Sequence, residues 1–265
     1  MRQMGITTHI GCPMRCKFCP QDVLIEAYKK RGGDKYMSFE AFKTCIDKLP
    51  HPTEVSFSGL AEAWLKPDCT KMLLYAFGLG HRITVYTTLV GMTMVDLSPL
   101  KHIPFHHFAI HLPDEEGYSK IPITDEYKTV LIEAMKIIPN HSLMSMGTVH
   151  HKILPLLNRE VLSGEKSMHS RAGNIPFLKT VKKNGMIECL SSGLKLDHNI
   201  LLPNGDVLLC CMDFRMAYIL GNLLECDYED LFKGEIFEKI QAGLIDGEVL
   251  CRYCCASTER KKNEG

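Results

Sequence analysis

Cys12, Cys16 and Cys19 fall within one short stretch, GCPMRCKFCPQ, in a C-x3-C-x2-C spacing. Three soft thiolates on a tight loop suit an iron–sulfur cluster or zinc. A structural zinc site wants a fourth ligand close by, usually in a second pair, and the next cysteine is as far away as Cys45. The chain has 12 cysteines in 265 residues, unevenly placed: none lies between 70 and 188, and seven lie from 189 to 255. In a reducing compartment, metal ligation or catalysis is a better use for such thiols than disulfides. The gap suggests two units, each with its own thiol site.

The elements that must position these thiols read as follows. MGITTHI is a strand running into the first cysteine loop. SFEAFKTCIDKL is a helix with Ser38 as N-cap, and DCTKMLLYAFGLG is a helix stopped by Gly78 and Gly80. EVSFSG, RITVYTT, HHFAIHL and SLMSMGTVHH are further strands. TDEYKTVLIEAMKII is a helix: Tyr127, Val130, Leu131, Ala134 and Ile138 keep the 3.6-residue period, with Thr124 as N-cap. Strands alternating with helices imply an α/β fold with a parallel sheet, here five or six βα units, fewer than the eight of a full barrel. From residue 166 the chain turns polar and aperiodic. HNILLPNGDVLLCC then reads as a hairpin around Asn204-Gly205 whose second strand ends at Cys210-Cys211, DYEDLFKGEIFEKIQAGL as one helix, and CRYCCAS closes the pattern. The expected domains are therefore 1–165 and 166–265.

Charge excludes little but directs the reading. With 31 basic and 31 acidic residues the net charge is zero, which gives no reason to expect nucleic-acid binding. No apolar run is long enough for a membrane helix, and the start lacks a signal-peptide pattern, so a cytoplasmic protein is expected.

C-x3-C-x2-C after the first strand of a partial βα barrel resembles the signature of radical S-adenosylmethionine (SAM) enzymes. The resemblance implies that Cys12, Cys16 and Cys19 hold a [4Fe–4S] cluster whose fourth iron chelates SAM. It also implies that SAM is cleaved to a 5′-deoxyadenosyl radical that takes a substrate hydrogen. Phe18 occupies the family's aromatic position beside the adenine. FSGLAEAWLKP stands where the family has Gly-Gly-Glu: Gly59 and Glu62 match, and Ala61 replaces the second glycine. Thr87 and Thr88 stand where the family binds the SAM ribose or carboxylate, and His111 where it has a further polar contact. His106, His107, His150 and His151 show no metal spacing and receive no role.

The later cysteines carry a second resemblance. Cys189, Cys210 and the pair Cys251-x2-Cys254 resemble the Twitch unit, the short form of the SPASM extension, which implies one auxiliary [4Fe–4S] cluster in a small hairpin-plus-helix domain. Gly221-Asn222, eleven residues past the strand-end cysteine, selects Cys210 over Cys211, which then points to the other strand face. Cys226 and Cys255 have no place in this scheme, and Cys45 and Cys69 read as small buried residues. Zinc bound by the same four thiolates is the structural alternative. The chain ends too soon after Cys255 for a second auxiliary cluster.

Among family members the pattern is most similar to aminocyclitol dehydrogenases. That implies an oxidoreductase converting a secondary alcohol of a sugar or cyclitol to a ketone, with the auxiliary cluster accepting one electron and a flavodoxin or ferredoxin as reductant. Arg171, in HSRAGN, is the candidate substrate contact, while Arg252 and Asp213 are charged groups near the auxiliary loop without an assigned role. Peptide maturation is the alternative enzyme reading, made less expected by a chain that starts directly at the first strand. A non-catalytic iron–sulfur or zinc module is the alternative of another class.

Overall fold

The computed structural model describes residues 1–164 and 168–260. The expected boundary between 165 and 166 therefore lies outside the described residues. Strand β1 (Gln3–Ile6) enters the cysteine loop, and α1 (Gln21–Arg31) leaves it. There follow α2 (Phe39–Ile46), β2 (Glu54–Phe57), α3 (Cys69–Gly78), β3 (Arg82–Thr87) and α4 (Met94–Leu100). Then come β4 (His107–His111), α5 (Asp125–Ile137), β5 (His141–Ser145) and β6 (Val161–Ser163). Strands β1 to β6 are parallel neighbours in chain order.

The second part of the chain builds on the same sheet. After β7 (Ile187–Cys189), strand β8 (His198–Leu201) runs parallel to β1 on its free side. Strands β9 (Asp206–Leu208) and β10 (Ile219–Asn222) follow antiparallel, giving nine strands in the order β10-β9-β8-β1-β2-β3-β4-β5-β6. Helix α6 (Glu235–Asp246) and β11 (Ser257–Glu259) complete the chain, and β11 pairs antiparallel with β7.

Alternation along the strands sorts the two faces of the sheet. Met4, Val55, Phe57, Ile83, Val85, Phe108, Ile110 and Leu143 are fully buried against the helices, with Phe42 and Ile46 of α2, Met72 and Leu73 of α3, and Val130 and Leu131 of α5. Burial of each such side chain contributes about 1.5–3 kcal/mol. The opposite face carries small or polar residues in register: Gly5 beside Ser56, Ser56 beside Thr84, Thr84 beside His107. Towards the carboxyl ends of the strands the same face, with Gly5, Tyr86, His111 and Met144, lines a cavity. Ser38 caps α2 through Ala41 N at 3.0 Å and Thr124 caps α5 through Tyr127 N at 3.1 Å, each worth about 1 kcal/mol.

Helix α1 packs elsewhere. Its Leu24 and Tyr28 join Ile200, Leu202, Leu208 and Phe214 in a separate apolar cluster. Arg31 at its end donates to both carboxylate oxygens of buried Asp206, at 2.8 and 3.0 Å. The helix that follows the first cysteine loop is thus fastened to the hairpin that carries Cys210.

Four expectations change. The hairpin turns at Gly205, whose φ of +87° suits glycine, but its second strand ends at Leu208, so Cys210 and Cys211 lie in the loop beyond. Cys211 therefore has no opposite strand face to point to. The single helix read over 227–244 is a 3-10 stretch, Tyr228–Phe232, and α6, broken at Lys233-Gly234. The strand read from Ser142 to His151 ends at Ser145, because the chain then crosses to bridge the loop after β4. Cys45 and Cys69 are buried in the main core, as expected.

Candidate active site

One cavity of about 550 Å³ reaches both cysteine groups. Its wall includes Cys12, Cys16 and Cys19 on one side and Cys189, Cys210 and Cys254 on the other. Phe18, Gly59, Glu62, Thr87, Thr88, His111 and Arg171 line it as well. Cys251 stands behind this wall in a 3-10 turn, close enough to Cys254 and Cys189 for their charges to act on it.

The first thiol group sits at the carboxyl end of β1. Burial raises the Cys12 thiol. Burial, then Cys19 and Cys12, push Cys16 up to about 12. Burial also raises Cys19, against a hydrogen bond from Gln21 and the charge of Arg171. Buried thiols that repel one another as thiolates are relieved by a cation, which fits a metal centre. The loop is held from outside by Lys17 N, which donates to Tyr118 O at 2.9 Å.

Gln21 was not singled out by the sequence. It is 4 % exposed, and its amide is fully used: Oε1 accepts from Cys12 N at 3.1 Å, while Nε2 donates to Cys19 Sγ at 3.3 Å and to Leu60 O at 2.5 Å. No spacing flags such a residue. The visible hint is a polar side chain at the first turn of a helix right after the thiols.

Glu62 is buried at the carboxyl end of β2, and burial raises its carboxyl group against several hydrogen bonds. Its Oε1 accepts from Thr87 Oγ1 at 2.6 Å, and its Oε2 accepts from Thr88 N at 2.6 Å and Thr88 Oγ1 at 2.7 Å. Thr87 and Thr88 spend their hydroxyls on orienting Glu62, while also lining the cavity. Gly59 is required by a close approach: a Cβ there would stand 2.3 Å from Ile6 O. His111 ends β4, and burial, with Arg171 nearby, lowers its imidazole to about 4, so the ring is neutral at neutral pH.

Arg171 lies between the two thiol groups. Its Nε reaches Phe18 O at 3.5 Å, and its charge acts on Cys19, Cys211 and His111. Both Arg171 and Ala172 have left-handed backbones, φ +51° and +54°, a conformation L-residues adopt at a cost of order 1 kcal/mol or more.

The second thiol group is fixed by non-thiol side chains. Burial pushes Cys251 to about 12 and Cys254 to about 11, and raises Cys210 well above its usual range. Arg252 is 3 % exposed and donates to Gly243 O and Gly185 O at 2.8 Å, to Lys183 O at 3.1 Å and to Gly247 O. It is therefore a clamp between α6 and the segment before β7. Asp213, raised by burial, accepts from Ala217 N and Tyr218 N at 2.9 and 2.8 Å and closes the loop after Cys210. Cys211 also lines the cavity, while Cys226 does not.

Sulfur spacing separates the ligand classes. Around tetrahedral zinc, with Zn–S near 2.3 Å, sulfurs stand about 3.8 Å apart. Among the described residues, only Glu115, His150 and His151 place three such ligand atoms within 4.8 Å of one another. Among the described residues no three cysteines do, so neither thiol group is drawn together as around a single zinc ion. His150 and His151, which receive no role, meet beside Glu115, whose Oε1 is 2.8 Å from His151 Nδ1.

Residues 193–255 match the SPASM family, an iron–sulfur cluster-binding domain. This match includes Cys210, Cys251 and Cys254, and Cys189 lies just before it. No curated protein matches the chain. Among solved structures, BtrN in complex with AdoMet and 2-DOIA matches with a TM-score of 0.65 at 15 % identity, over 93 % of this chain and 88 % of that one. Native anSMEcpe with bound AdoMet matches at 0.58 and 10 % identity, over 96 % and 86 %. Streptococcus suis SuiB bound to precursor peptide SuiA matches at 0.60 and 11 %, over 95 % and 70 %. At these identities the likeness is one of fold: a parallel α/β sheet with helices, extended by the hairpin strands. No helix of the described residues is long and apolar enough to cross a membrane.

Proposed function

We propose that this chain is a radical SAM oxidoreductase with one auxiliary [4Fe–4S] cluster, acting on a secondary alcohol of a sugar or cyclitol. The observation that carries this reading is one cavity lined by Cys12, Cys16 and Cys19 and also by Cys189, Cys210 and Cys254, with Glu62 and Arg171 in the same wall. Cys12, Cys16 and Cys19 would hold the SAM cluster, and Cys189, Cys210, Cys251 and Cys254 the auxiliary one. With both bound, the first supplies an electron for SAM cleavage to a hydrogen-abstracting radical, and the second accepts the electron left after the alcohol carbon loses hydrogen and proton.

The chain's own residues prepare that chemistry. Glu62, oriented by Thr87 and Thr88, presents a carboxylate to the SAM ammonium group. Phe18 offers an apolar face to the adenine. Arg171 supplies a fixed cation with a donor fork for a substrate hydroxyl or carboxylate, and the backbone strain there is consistent with a positioned functional side chain. His111 is neutral and offers a donor or acceptor. A cavity of this volume suits small ligands.

The test is anaerobic incubation with SAM and a strong reductant. Formation of 5′-deoxyadenosine supports the radical SAM reading, and its absence favours a non-catalytic iron–sulfur module. Ketone formation from cyclitols or sugars, with loss of the carbon-bound hydrogen, tests the substrate class. Peptide modification is the second reading, because SuiB shares the fold and is seen with a precursor peptide; turnover of peptides but not polyols would establish it.

A further inference from the structure

Gln21 is the side chain that ties the first cysteine loop to the segment carrying Glu62. Three bonds define its amide orientation without ambiguity. Cys12 N–H can only donate, so it faces Oε1, and Leu60 O can only accept, so it faces Nε2. The remaining Nε2 proton points at Cys19 Sγ. Leu60 lies between Gly59 and Glu62, so the amide spans from one end of the thiol loop, across its third thiol, to the loop of the buried carboxylate. Ser119 makes the corresponding side-chain contact to Cys16, so Gln21 is the amide donor to the trio and Cys19 its target.

We infer that Gln21 is a positioning residue that sets the reduction potential of the centre held by Cys12, Cys16 and Cys19. An N–H donated to a ligand sulfur withdraws electron density, which favours the reduced, more negative state of an iron–sulfur cluster. The amide bond falls on the Cys19 corner, while a Ser119 hydroxyl serves Cys16. Cys19 also faces the Arg171 charge, whereas Cys12 faces the Glu62 carboxylate and Cys19, and Cys16 faces Cys19 and Cys12. The Cys19 corner is therefore the electron-poor side of the trio. The inference rests on the proposed reading that these thiols hold a cluster.

The test uses the reconstituted full chain with both thiol groups intact. Redox titration of Gln21→Met, followed by EPR, should give a more negative midpoint for one of two centres. At the wild-type midpoint, where half the wild-type cluster is reduced, the ratio of reduced to oxidised cluster in the variant should fall severalfold; tenfold would be about 59 mV for one electron. A strongly coupled exchangeable proton seen by ENDOR in the reduced wild type should be missing. Gln21→Glu keeps the acceptor for Cys12 N–H and cannot donate to sulfur in its ionised form. It separates the two halves of the role: the same proton should be lost while iron content stays at the wild-type level. A wild-type midpoint and proton coupling in both variants would overturn the inference. Wild-type protein without iron bound by Cys12, Cys16 and Cys19 would instead overturn the reading beneath it.

Discussion

The two thiol regions face one cavity but are built on different principles. The amino-terminal trio rides a loop between β1 and α1, tied by the Gln21 amide, by Arg171 and Ser119 at single points, and by backbone contacts. The carboxyl-terminal group is locked from all sides. Arg252 grips four carbonyls, Asp213 closes the loop after Cys210, and Ser257 Oγ donates to Cys251 O and to Cys254 O at 3.0 Å. A centre that must admit a further ligand needs an open side and few clamps. A centre that only moves electrons is best fully ligated and rigid. The contrast in scaffolding matches that division of work.

Separating the two thiol groups by mutation gives the largest effects. Cys210→Ala with Cys254→Ala is expected to abolish substrate oxidation while leaving SAM cleavage under reduction within a few-fold of wild type, measured as 5′-deoxyadenosine against oxidised product. Loss of SAM cleavage as well would break the division. Replacing the clamp comes next. Arg252→Leu leaves several buried carbonyls without donors, and a loss of about 3–5 kcal/mol is expected in denaturant unfolding, with iron lost from the auxiliary group alone.

The seam between the regions gives a smaller effect. Arg31→Met removes the bidentate partner of buried Asp206, leaving the Asn204 and Asn222 amides as its remaining donors. A loss of about 2–3 kcal/mol is expected, in a single cooperative transition because α1 and the hairpin share one core. Two separated transitions would show that the regions unfold independently.

The smallest effect is in pH. His111 is lowered by burial and by Arg171 to about 4, below its unfolded value near 6.5. The unfolded chain therefore binds more protons between those values, and stability falls as pH drops through that window. The contribution is about 2 kcal/mol, since the ring opens onto the cavity. His111→Asn should flatten the stability curve between pH 6.5 and 4 relative to wild type.

Much of this was legible in the sequence where a local signal was strong. Ser38 and Thr124 marked their helices, Asn204-Gly205 marked the hairpin, and the cysteine spacings marked both thiol groups. Helix α1 was missed because only Gln21, Leu24 and Tyr28 of it are buried, a narrow stripe with a weak 3.6-residue signal. Its acidic start at Asp22 and its basic end at Lys29, Lys30 and Arg31 were the available clue. Helix α4 was hidden by Pro99, although Thr93 and Asp96 form a capping box. The pairing of β8 with β1 joins residues nearly two hundred positions apart, and no local pattern encodes it. The links from Thr87 and Thr88 to Glu62, and from Gln21 to Cys19, are likewise tertiary: each residue type is ordinary until the fold sets its partner beside it.

Iron and acid-labile sulfide per chain, after anaerobic reconstitution of the wild type and of Cys12/Cys16/Cys19→Ala, test the central claim most directly. Two separate [4Fe–4S] sites predict about eight irons falling to about four in the variant. About four irons falling to none, with zinc retained on the carboxyl-terminal thiols, would contradict the account and leave a single-cluster enzyme without an internal electron acceptor.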